Sequence, residues 1–454
     1  MSQTENLDVQ EVRAQDRAHV WHPMLQHRSL ESQDLTVIRE AKGTTLVDGE
    51  GRSYLDAYAG LWNVNVGYGR EEIAEAVYDQ IRRLSYYPNL QVTAPAARLA
   101  ARLAGILPGD LNHLFFCNSG SEANETALKI ARQYGRQKYP GQNRYKVIAR
   151  YQGYHGFTYG AMSATGQVKR RNRFEPLVPG FLHVDPPYCY RCPLKLTYPA
   201  CGLACVEEIE EVIVREDPET VAAVIAEPII GGGGVIVPPD EYLPRLREIC
   251  DTYGTLLIFD EVITGFGRTG KLFAAEHWEV VPDMVTMAKG VTSGYLPLGA
   301  CAVTPEVFEA FLGEPEEERE LSQVATYGGH PVCCAAALAN IEILMGERLW
   351  ENSARVGAHL LEGLRGLDSP FVGNVRGRGL MAAVELVGED GAMLDGERMA
   401  QVHARIREEG VLVGRMSHVM AGPESMFFLS PPLILTEAEA DRIVEAFRVG
   451  LASV

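Results

Sequence analysis

The chain has 454 residues, which is enough for a large core and roughly two to four domain-sized units. Its 60 acidic residues outnumber its 42 basic ones, and the net charge of −18 argues against a nucleic acid or an anionic membrane surface as partner. No run of about eighteen apolar residues stands out, so no membrane span is expected. Residues 1–6 lack the basic-then-apolar profile of a signal peptide, and the expected location is therefore the cytoplasm.

Between about residues 94 and 325, short apolar runs alternate with stretches of helical period. The runs predicted to be strands buried on both faces are 113–117, 145–149, 221–226, 255–259 and 284–287. The predicted helices between them are 122–138, 205–215 and 242–253. This alternation predicts an α/β fold with a mostly parallel central sheet covered by helices.

Both chain ends carry a different pattern, which predicts a smaller α+β domain. Two short strands around a glycine-containing turn are predicted in residues 45–55, and a strand in 378–385. Helices are predicted in 332–344, 399–409 and 437–451. We therefore expect an N-terminal segment of the small domain in residues 1–64, a large domain in 65–330, and the rest of the small domain in 331–454.

A turn of small residues follows the first strand of the central region and leads into a helix. It contains Ser119, Gly120 and Ser121, with Glu122 in the first turn of the predicted helix. Backbone N–H groups and the positive end of a helix at such a turn suit a phosphate group. An ordinary helix capped by serine explains the same residues, so both interpretations stay open.

Residues whose side chains can take part in binding or catalysis follow the next strands, each at the carboxyl end of its strand. Tyr154 and His155 lie after strand 145–149, Glu227 after strand 221–226 and Asp260 after strand 255–259. Open α/β sheets bind their ligands at this edge. We therefore expect these side chains to converge.

Lys289 follows the last strand of this series, in the stretch Met287-Ala288-Lys289-Gly290. A lysine at an apolar rim can form a Schiff base with a carbonyl group, and a carboxylate such as Asp260 can hold a pyridine nitrogen in its protonated form. Most lysines lie on surfaces and take no part in catalysis, so Lys289 alone would be weak evidence for a Schiff-base site. Its joint occurrence with Asp260, Tyr154 and the small-residue turn indicates a pyridoxal phosphate site.

Four clustered cysteines offer a second feature, between the predicted strands at 145–149 and 221–226. They are Cys189, Cys192, Cys201 and Cys205. Four thiols at this spacing can hold a structural zinc ion or an iron–sulfur centre. Two disulfides or reduced thiols in a folded loop explain the same residues. These alternatives stay open, and none of them points to the main chemistry.

The chain resembles the class III pyridoxal-phosphate-dependent aminotransferases of fold type I, from about His19 to the last helix. Within that family it is similar to the ω-amino acid–pyruvate and amine–pyruvate transaminases. The strongest signature is residues 257–268 (LIFDEVITGFGR), followed by Asp283 and by Ala288-Lys289-Gly290.

The resemblance implies a role for each residue of the site. Lys289 would form the Schiff base with pyridoxal 5′-phosphate and then carry the proton, and Asp260 would pair with the ring nitrogen. The other implied cofactor contacts are Gly120 and Ser121 at the phosphate, Tyr154 stacked on the ring, Val262 on its opposite face, Glu227 near the ring hydroxyl, and Thr326 at the phosphate of the partner subunit. The implied assembly is a homodimer, or a dimer of dimers, with shared active sites.

Departures from the wider family indicate the substrates. Relatives that use glutamate or ornithine carry an arginine where this chain has Phe157, and a glutamate where glycines follow Glu227. The loss of these groups favours pyruvate over 2-oxoglutarate as acceptor. Trp62 matches an aromatic wall of the substrate pocket, with a core tryptophan as alternative. Arg415 matches an arginine that swings in to bind a substrate carboxylate, with a surface arginine as alternative.

The resulting prediction is a transaminase that moves an amino group from an ω-amino acid or amine, such as β-alanine or taurine, to pyruvate by ping-pong half-reactions. An aminomutase or a 2-oxoglutarate-dependent aminotransferase is the alternative within the family. The alternative from another class is a non-catalytic scaffold with the cysteine cluster as an interaction module.

Overall fold

A computed structural model describes residues 8–31, 34–415 and 425–454 of the chain. Its strands form three sheets. The strands are β1 (Ile38–Lys42), β2 (Thr45–Asp48), β3 (Ser53–Asp56), β4 (His113–Cys117), β5 (Lys146–Arg150), β6 (Phe181–Val184), β7 (Val221–Ala226), β8 (Leu256–Asp260), β9 (Met284–Met287), β10 (Gly299–Val303), β11 (Val372–Gly377), β12 (Ala382–Leu386), β13 (Val411–Leu412), β14 (Gly414–Arg415) and β15 (Met426–Leu429).

The α-helices lie between and around these sheets. They are α1 (Val9–His19), α2 (Ala59–Trp62), α3 (Glu71–Arg83), α4 (Ala94–Ala104), α5 (Gly120–Lys138), α6 (Tyr159–Ala164), α7 (Val168–Arg171), α8 (Ala204–Arg215), α9 (Tyr242–Tyr253), α10 (Pro305–Glu309), α11 (Pro331–Gly346), α12 (Leu349–Arg365), α13 (Gly396–Glu408) and α14 (Glu437–Leu451). None of the helices in the described ranges is long and apolar enough to cross a bilayer.

The central sheet has seven strands in the order β4-β10-β9-β8-β7-β5-β6. Five of them, β6, β5, β7, β8 and β9, run parallel to one another. Their side chains are mostly apolar, and every residue of β7 and β8 is buried. This is the pattern of a sheet covered by helices on both faces, and it confirms the predicted α/β architecture.

A second layer combines both ends of the chain. In the sheet β1-β2-β3-β13, the C-terminal strand β13 pairs in parallel with β3 of the N-terminal segment. A third sheet, β11-β12-β15-β14, is antiparallel throughout. The smaller α+β part built from both ends is therefore confirmed, with a contact between segments more than 350 residues apart that the local pattern does not specify.

Some elements differ from their predictions for identifiable reasons. Strand β10 was not predicted, because Gly299-Ala-Cys-Ala-Val303 has low strand propensity, yet it lies between β4 and β9 and is antiparallel to both. β4 is an edge strand, so residues 113–115 are only half-buried. The strand predicted in 378–385 begins later, at Ala382, because Gly379 adopts a φ of 58° in the bend between β11 and β12.

Candidate active site

A cavity of about 380 Å³ opens where β5, β7, β8 and β9 end. This volume is typical of a small-molecule site. Most of the residues singled out in the sequence line it, namely Trp62, Gly120, Ser121, Tyr154, Glu227, Asp260, Val262, Lys289 and Arg415. The expected convergence at one edge of the sheet therefore occurs.

Lys289 lies two residues beyond the end of β9 and begins a 3₁₀ turn. Its φ of 44° is unusual for a residue with a side chain, which indicates a backbone held in place by its surroundings. Burial lowers the pKa of its amine, although the carboxylates of Asp260 and Glu227 act in the opposite direction. The amine therefore loses its proton more readily than a surface lysine, as a nucleophile requires.

Asp260 ends β8 and is buried. Its Oδ2 accepts hydrogen bonds from Asn124 Nδ2 at 2.7 Å and from His155 Nδ1 at 2.8 Å. Its Oδ1 accepts one from the backbone N–H of Val262 at 3.1 Å. These donors stabilise a negative charge and fix the direction of the carboxylate.

Glu227 connects two loops of the site. Its Oε1 accepts the N–H of Tyr154 at 2.9 Å, and its Oε2 accepts the N–H of Gly231 at 2.8 Å. Burial raises the pKa of this carboxyl group, and the charge of Asp260 adds to that rise. Glu227 thus holds the tyrosine loop in a fixed position beside the cavity.

The turn at Ser119, Gly120 and Ser121 is both a serine cap of a helix and part of the cavity wall, as the two interpretations of the sequence predicted. Ser119 caps α5, with its Oγ accepting the N–H of Glu122 at 3.2 Å. The same turn lines the cavity, so the positive end of a 19-residue helix points into it. The two interpretations of the sequence are therefore compatible.

Two glycines allow the turn to approach its neighbours. A Cβ on Gly120 would lie 2.8 Å from Val262 Cγ1, and one on Gly156 would lie 2.4 Å from Ser121 Oγ. Gly156 also has a φ of 136°. Larger residues at these positions would separate the turn from the residues it faces.

Trp62 and Arg415 form part of the cavity wall on the side of the smaller sheets. Trp62 is buried, and its Nε1 donates to Tyr58 Oη at 2.8 Å, so it is a core residue and a lining residue at once. Arg415 ends β14, and its Nη2 donates to the carbonyl of Gly396 at 3.1 Å.

Phe157 and Thr326 do not line this cavity. Phe157 is 44% exposed and lies at the rim, with its ring 5.7 Å from that of Tyr154. Thr326 is exposed, and its carbonyl oxygen accepts a hydrogen bond from Tyr86 Oη at 2.8 Å. If Thr326 contacts a cofactor, that cofactor therefore belongs to another chain.

The sequence did not predict the hydrogen bonds of Asn124 and His155 to Asp260. It also did not predict that Arg170 lies at the site. All three line the cavity. Asn124 and His155 carry a detectable signal, because each is a polar residue at a position that the sequence pattern predicts to be buried. No sequence signal marks Arg170 as a site residue, because it lies in a short turn among other basic residues.

The four clustered cysteines line a separate, smaller cavity. No disulfide joins them, and no group of three or more potential ligands is arranged around a metal position in the part of the chain that the structure describes. Burial raises the pKa of the Cys205 thiol to about 12. Metal ligation, disulfides and reduced thiols therefore stay alternative predictions for this cluster.

Comparisons with known proteins agree with this geometry. The sequence model of the family "Aminotransferase class-III" matches residues 28–451. An uncharacterized aminotransferase, YhxA of Bacillus subtilis, is 46% identical over 98% of this chain and 97% of its own. The taurine–pyruvate aminotransferase of Bilophila wadsworthia is 40% identical, covering 96% of each chain. The putrescine–pyruvate aminotransferase of Pseudomonas aeruginosa is 38% identical over 98% of this chain and 97% of its own.

Solved structures are similar over nearly the whole chain. An (S)-enantioselective ω-transaminase from Thermomicrobium roseum matches with a TM-score of 0.92 and 43% identity, covering 98% of this chain and 99% of that one. An amine transaminase from an uncultivated Pseudomonas species, in its PLP-bound form, matches with a TM-score of 0.88 and 38% identity, covering 95% and 98%.

Proposed function

Because this chain belongs to the class III aminotransferases, which use pyridoxal phosphate, we propose that it transfers an amino group from an ω-amino acid or amine to pyruvate, giving alanine. The proposal rests on the observation that Lys289 and Asp260 line the same cavity. An aminomutase or a scaffold has no comparable support, since the taurine, putrescine and ω-transaminase relatives described above are all named as aminotransferases or transaminases.

The residues of the cavity fit the cofactor. The start of α5, with Ser119, Gly120 and Ser121, offers N–H and hydroxyl donors to a phosphate. Gly120 leaves room beside Val262 that a Cβ would fill. When bound, pyridoxal phosphate supplies a conjugated ring that takes up the electron pair left when the amino-bearing carbon loses its proton.

The protein positions the groups and moves the proton. Lys289 Nζ, with its lowered pKa, is the group that would bind the cofactor carbonyl and would carry a proton at its amine. Asp260, held by Asn124 and His155, would keep the ring nitrogen protonated. Tyr154 would lie against the ring, and Glu227 holds the Tyr154 loop.

Pyruvate as acceptor is supported by two observations. The two relatives named for different donors, taurine and putrescine, are both named as pyruvate aminotransferases. At the rim, Phe157 offers no guanidinium for the second carboxylate of 2-oxoglutarate. Taurine, β-alanine and simple amines remain the proposed donors.

A homodimer with shared sites is also part of the proposal. Thr326 is flanked by exposed apolar side chains, including Val324 at 71% and Tyr327 at 60% exposure, and Leu90 and Val92 are 73% and 90% exposed. Apolar surface of this kind is typical of an interface. We propose the cytoplasm as location, which suits cysteines that form no disulfide among the described residues.

A donor panel tests the function. Purified protein is incubated with pyruvate and taurine, β-alanine, putrescine or 1-phenylethylamine, and the alanine formed is measured by chromatography. We expect alanine with at least one donor, and a visible absorbance band that borohydride removes. Lys289→Ala should abolish both, while Lys271→Ala, which removes an exposed lysine, should change neither. Alanine formation by the Lys289→Ala variant would contradict the mechanism.

A further inference from the structure

Arg170 is a second arginine in the wall of the active-site cavity, in addition to Arg415. It belongs to the single-turn helix α7. Its guanidinium carbon lies 4.9 Å from the ring centroid of Tyr154 and 5.9 Å from that of Phe157. A cation therefore lies directly beside the tyrosine that flanks the proposed cofactor position.

The guanidinium of Arg170 is poorly neutralised. Within the described ranges, no carboxylate forms an ion pair with it, and its Nε is buried without a hydrogen-bond partner. Its Nη1 contacts the thioether of Met24 at 3.7 Å, and sulfur is a weak acceptor. Burial also lowers the pKa of the guanidinium. A buried donor without a partner costs free energy, so a ligand that supplies the missing acceptor would bind favourably here.

The turn that carries Arg170 is firmly attached to the end of β5. Gln167, the cap of α7, is fully buried, and its Nε2 donates to the carbonyl of Gln152 at 3.0 Å. A Cβ on Gly166 would lie 2.1 Å from the carbonyl oxygen of Arg150, so this close approach requires glycine. The backbone that carries Arg170 is thus held in place, and the rings of Tyr154 and Phe157 lie against its guanidinium, which reduces the entropic cost of binding.

The chemistry of the cavity limits the choice of ligand. The donors at the start of α5 already suit the cofactor phosphate. The remaining anion in the proposed reaction is the acid group of the substrate, a carboxylate in pyruvate, alanine and β-alanine and a sulfonate in taurine. A guanidinium presents paired N–H donors that match the oxygens of either group.

We propose that Arg170 is the preformed anion-binding residue of the substrate site and takes the carboxylate or sulfonate of the acidic substrate. This inference rests on the proposed function and names the substrate group that the site recognises. Arg415 then contributes a second basic group, which in this structure is engaged with the backbone of Gly396.

Unreactive acids test binding without turnover. The holoenzyme is titrated with propanoate and with ethanesulfonate, which lack an amino group, and the dissociation constants are measured by calorimetry. We expect Arg170→Met to weaken binding about tenfold to a hundredfold, and Arg170→Lys, which keeps the charge without the paired donors, to weaken it less. Arg173→Met is the matched control, because it removes the same charge from an exposed position three residues away. Unchanged binding by Arg170→Met would overturn the proposal.

Kinetics of the first half-reaction provide the second arm. Arg170→Met should lower kcat/KM for taurine or β-alanine by a similar factor and leave that for 1-phenylethylamine, which has no acid group, unchanged. An equal loss for both donors, or loss of bound cofactor, would make Arg170 a cofactor or folding residue and overturn the proposal. If the Arg170→Met variant does not fold, the same comparison of acidic and non-acidic donors is made with Arg170→Lys. Turnover of 1-phenylethylamine by every variant would keep the proposed function intact even where the Arg170 proposal fails.

Discussion

Three N–H groups meet at the two carboxylate oxygens of Asp260, and together they hold a negative charge inside a buried site. Because that carboxylate accepts a hydrogen bond from His155 Nδ1, the imidazole and the carboxylate form a directed pair. The amine of Lys289 has a pKa lowered by its burial. At the scale of single residues, the site therefore fixes the direction of its carboxylate by hydrogen bonds and lowers the pKa of its amine by burial.

We predict that Phe157 contributes to the choice of acceptor. Phe157→Arg should raise kcat/KM for 2-oxoglutarate relative to pyruvate by about tenfold, because a guanidinium at the rim can bind the second carboxylate. The ratio is measured with a fixed amino donor. Tyr159→Arg, which adds the same charge at a position 59% exposed, is the control. An unchanged ratio would mean that the acceptor is selected elsewhere in the cavity.

At the scale of elements, the turn after β8 is tied to the following chain by a buried carboxyl group. Glu261 Oε2 accepts the N–H of Ala274 at 3.0 Å, and Oε1 accepts that of Ala275 at 2.8 Å. Burial raises the pKa of Glu261 from 4.5 to about 7, although these donors and Thr264 oppose the rise. This connection holds the segment between Asp260 and the 3₁₀ helix at Ala274–His277.

The raised pKa of Glu261 predicts a pH dependence of stability. Between pH 4.5 and about 7 the folded chain keeps a proton that the unfolded chain has lost, so the free energy of unfolding falls as the pH rises through this window. The loss amounts to roughly 3 kcal/mol at most, at 1.36 kcal/mol per pKa unit.

Glu261→Gln carries no titrating group and serves as the comparison. Thermal melts of both proteins from pH 5 to 8 should show the Tm of the wild type falling relative to that of the variant as the pH rises. A constant difference between the two Tm values would show that Glu261 does not titrate in this range.

At the scale of the whole molecule, the apolar patch around Val324 and Tyr327 and the position of Thr326 are linked. Thr326 does not line the cavity of its own chain, and the ring centroid of Tyr327 lies 5.7 Å from that of Tyr86. A symmetric dimer through this surface would bring Thr326 to the phosphate turn of the partner subunit. Activity would then depend on assembly.

Subunit mixing tests this dependence. Lys289→Ala removes the nucleophile, and Thr326→Asp should repel the phosphate of the other subunit, so each homodimer should be inactive. A heterodimer of the two keeps one intact site of two, and random exchange should restore about a quarter of wild-type activity. Light scattering checks that both variants are dimers. No recovery after exchange would contradict a shared site.

Sequence alone determined the series of strands whose carboxyl ends are followed by Tyr154, Glu227 and Lys289 or occupied by Asp260. This was possible because the period of apolar residues and the residue after each strand are local properties. The resemblance to a known family added expected roles for those residues, and the family was confirmed by its match to residues 28–451.

Only the tertiary structure decided which groups meet. The contacts of Asn124 and His155 with Asp260, the pairing of β13 with β3, and the position of Arg170 against Tyr154 join segments distant in sequence or separated by irregular turns. No periodic pattern encodes such contacts, because they follow from the packing of the whole chain. The reaction class was therefore readable from local sequence, whereas the partners of Asp260 and the position of the Arg170 guanidinium were not.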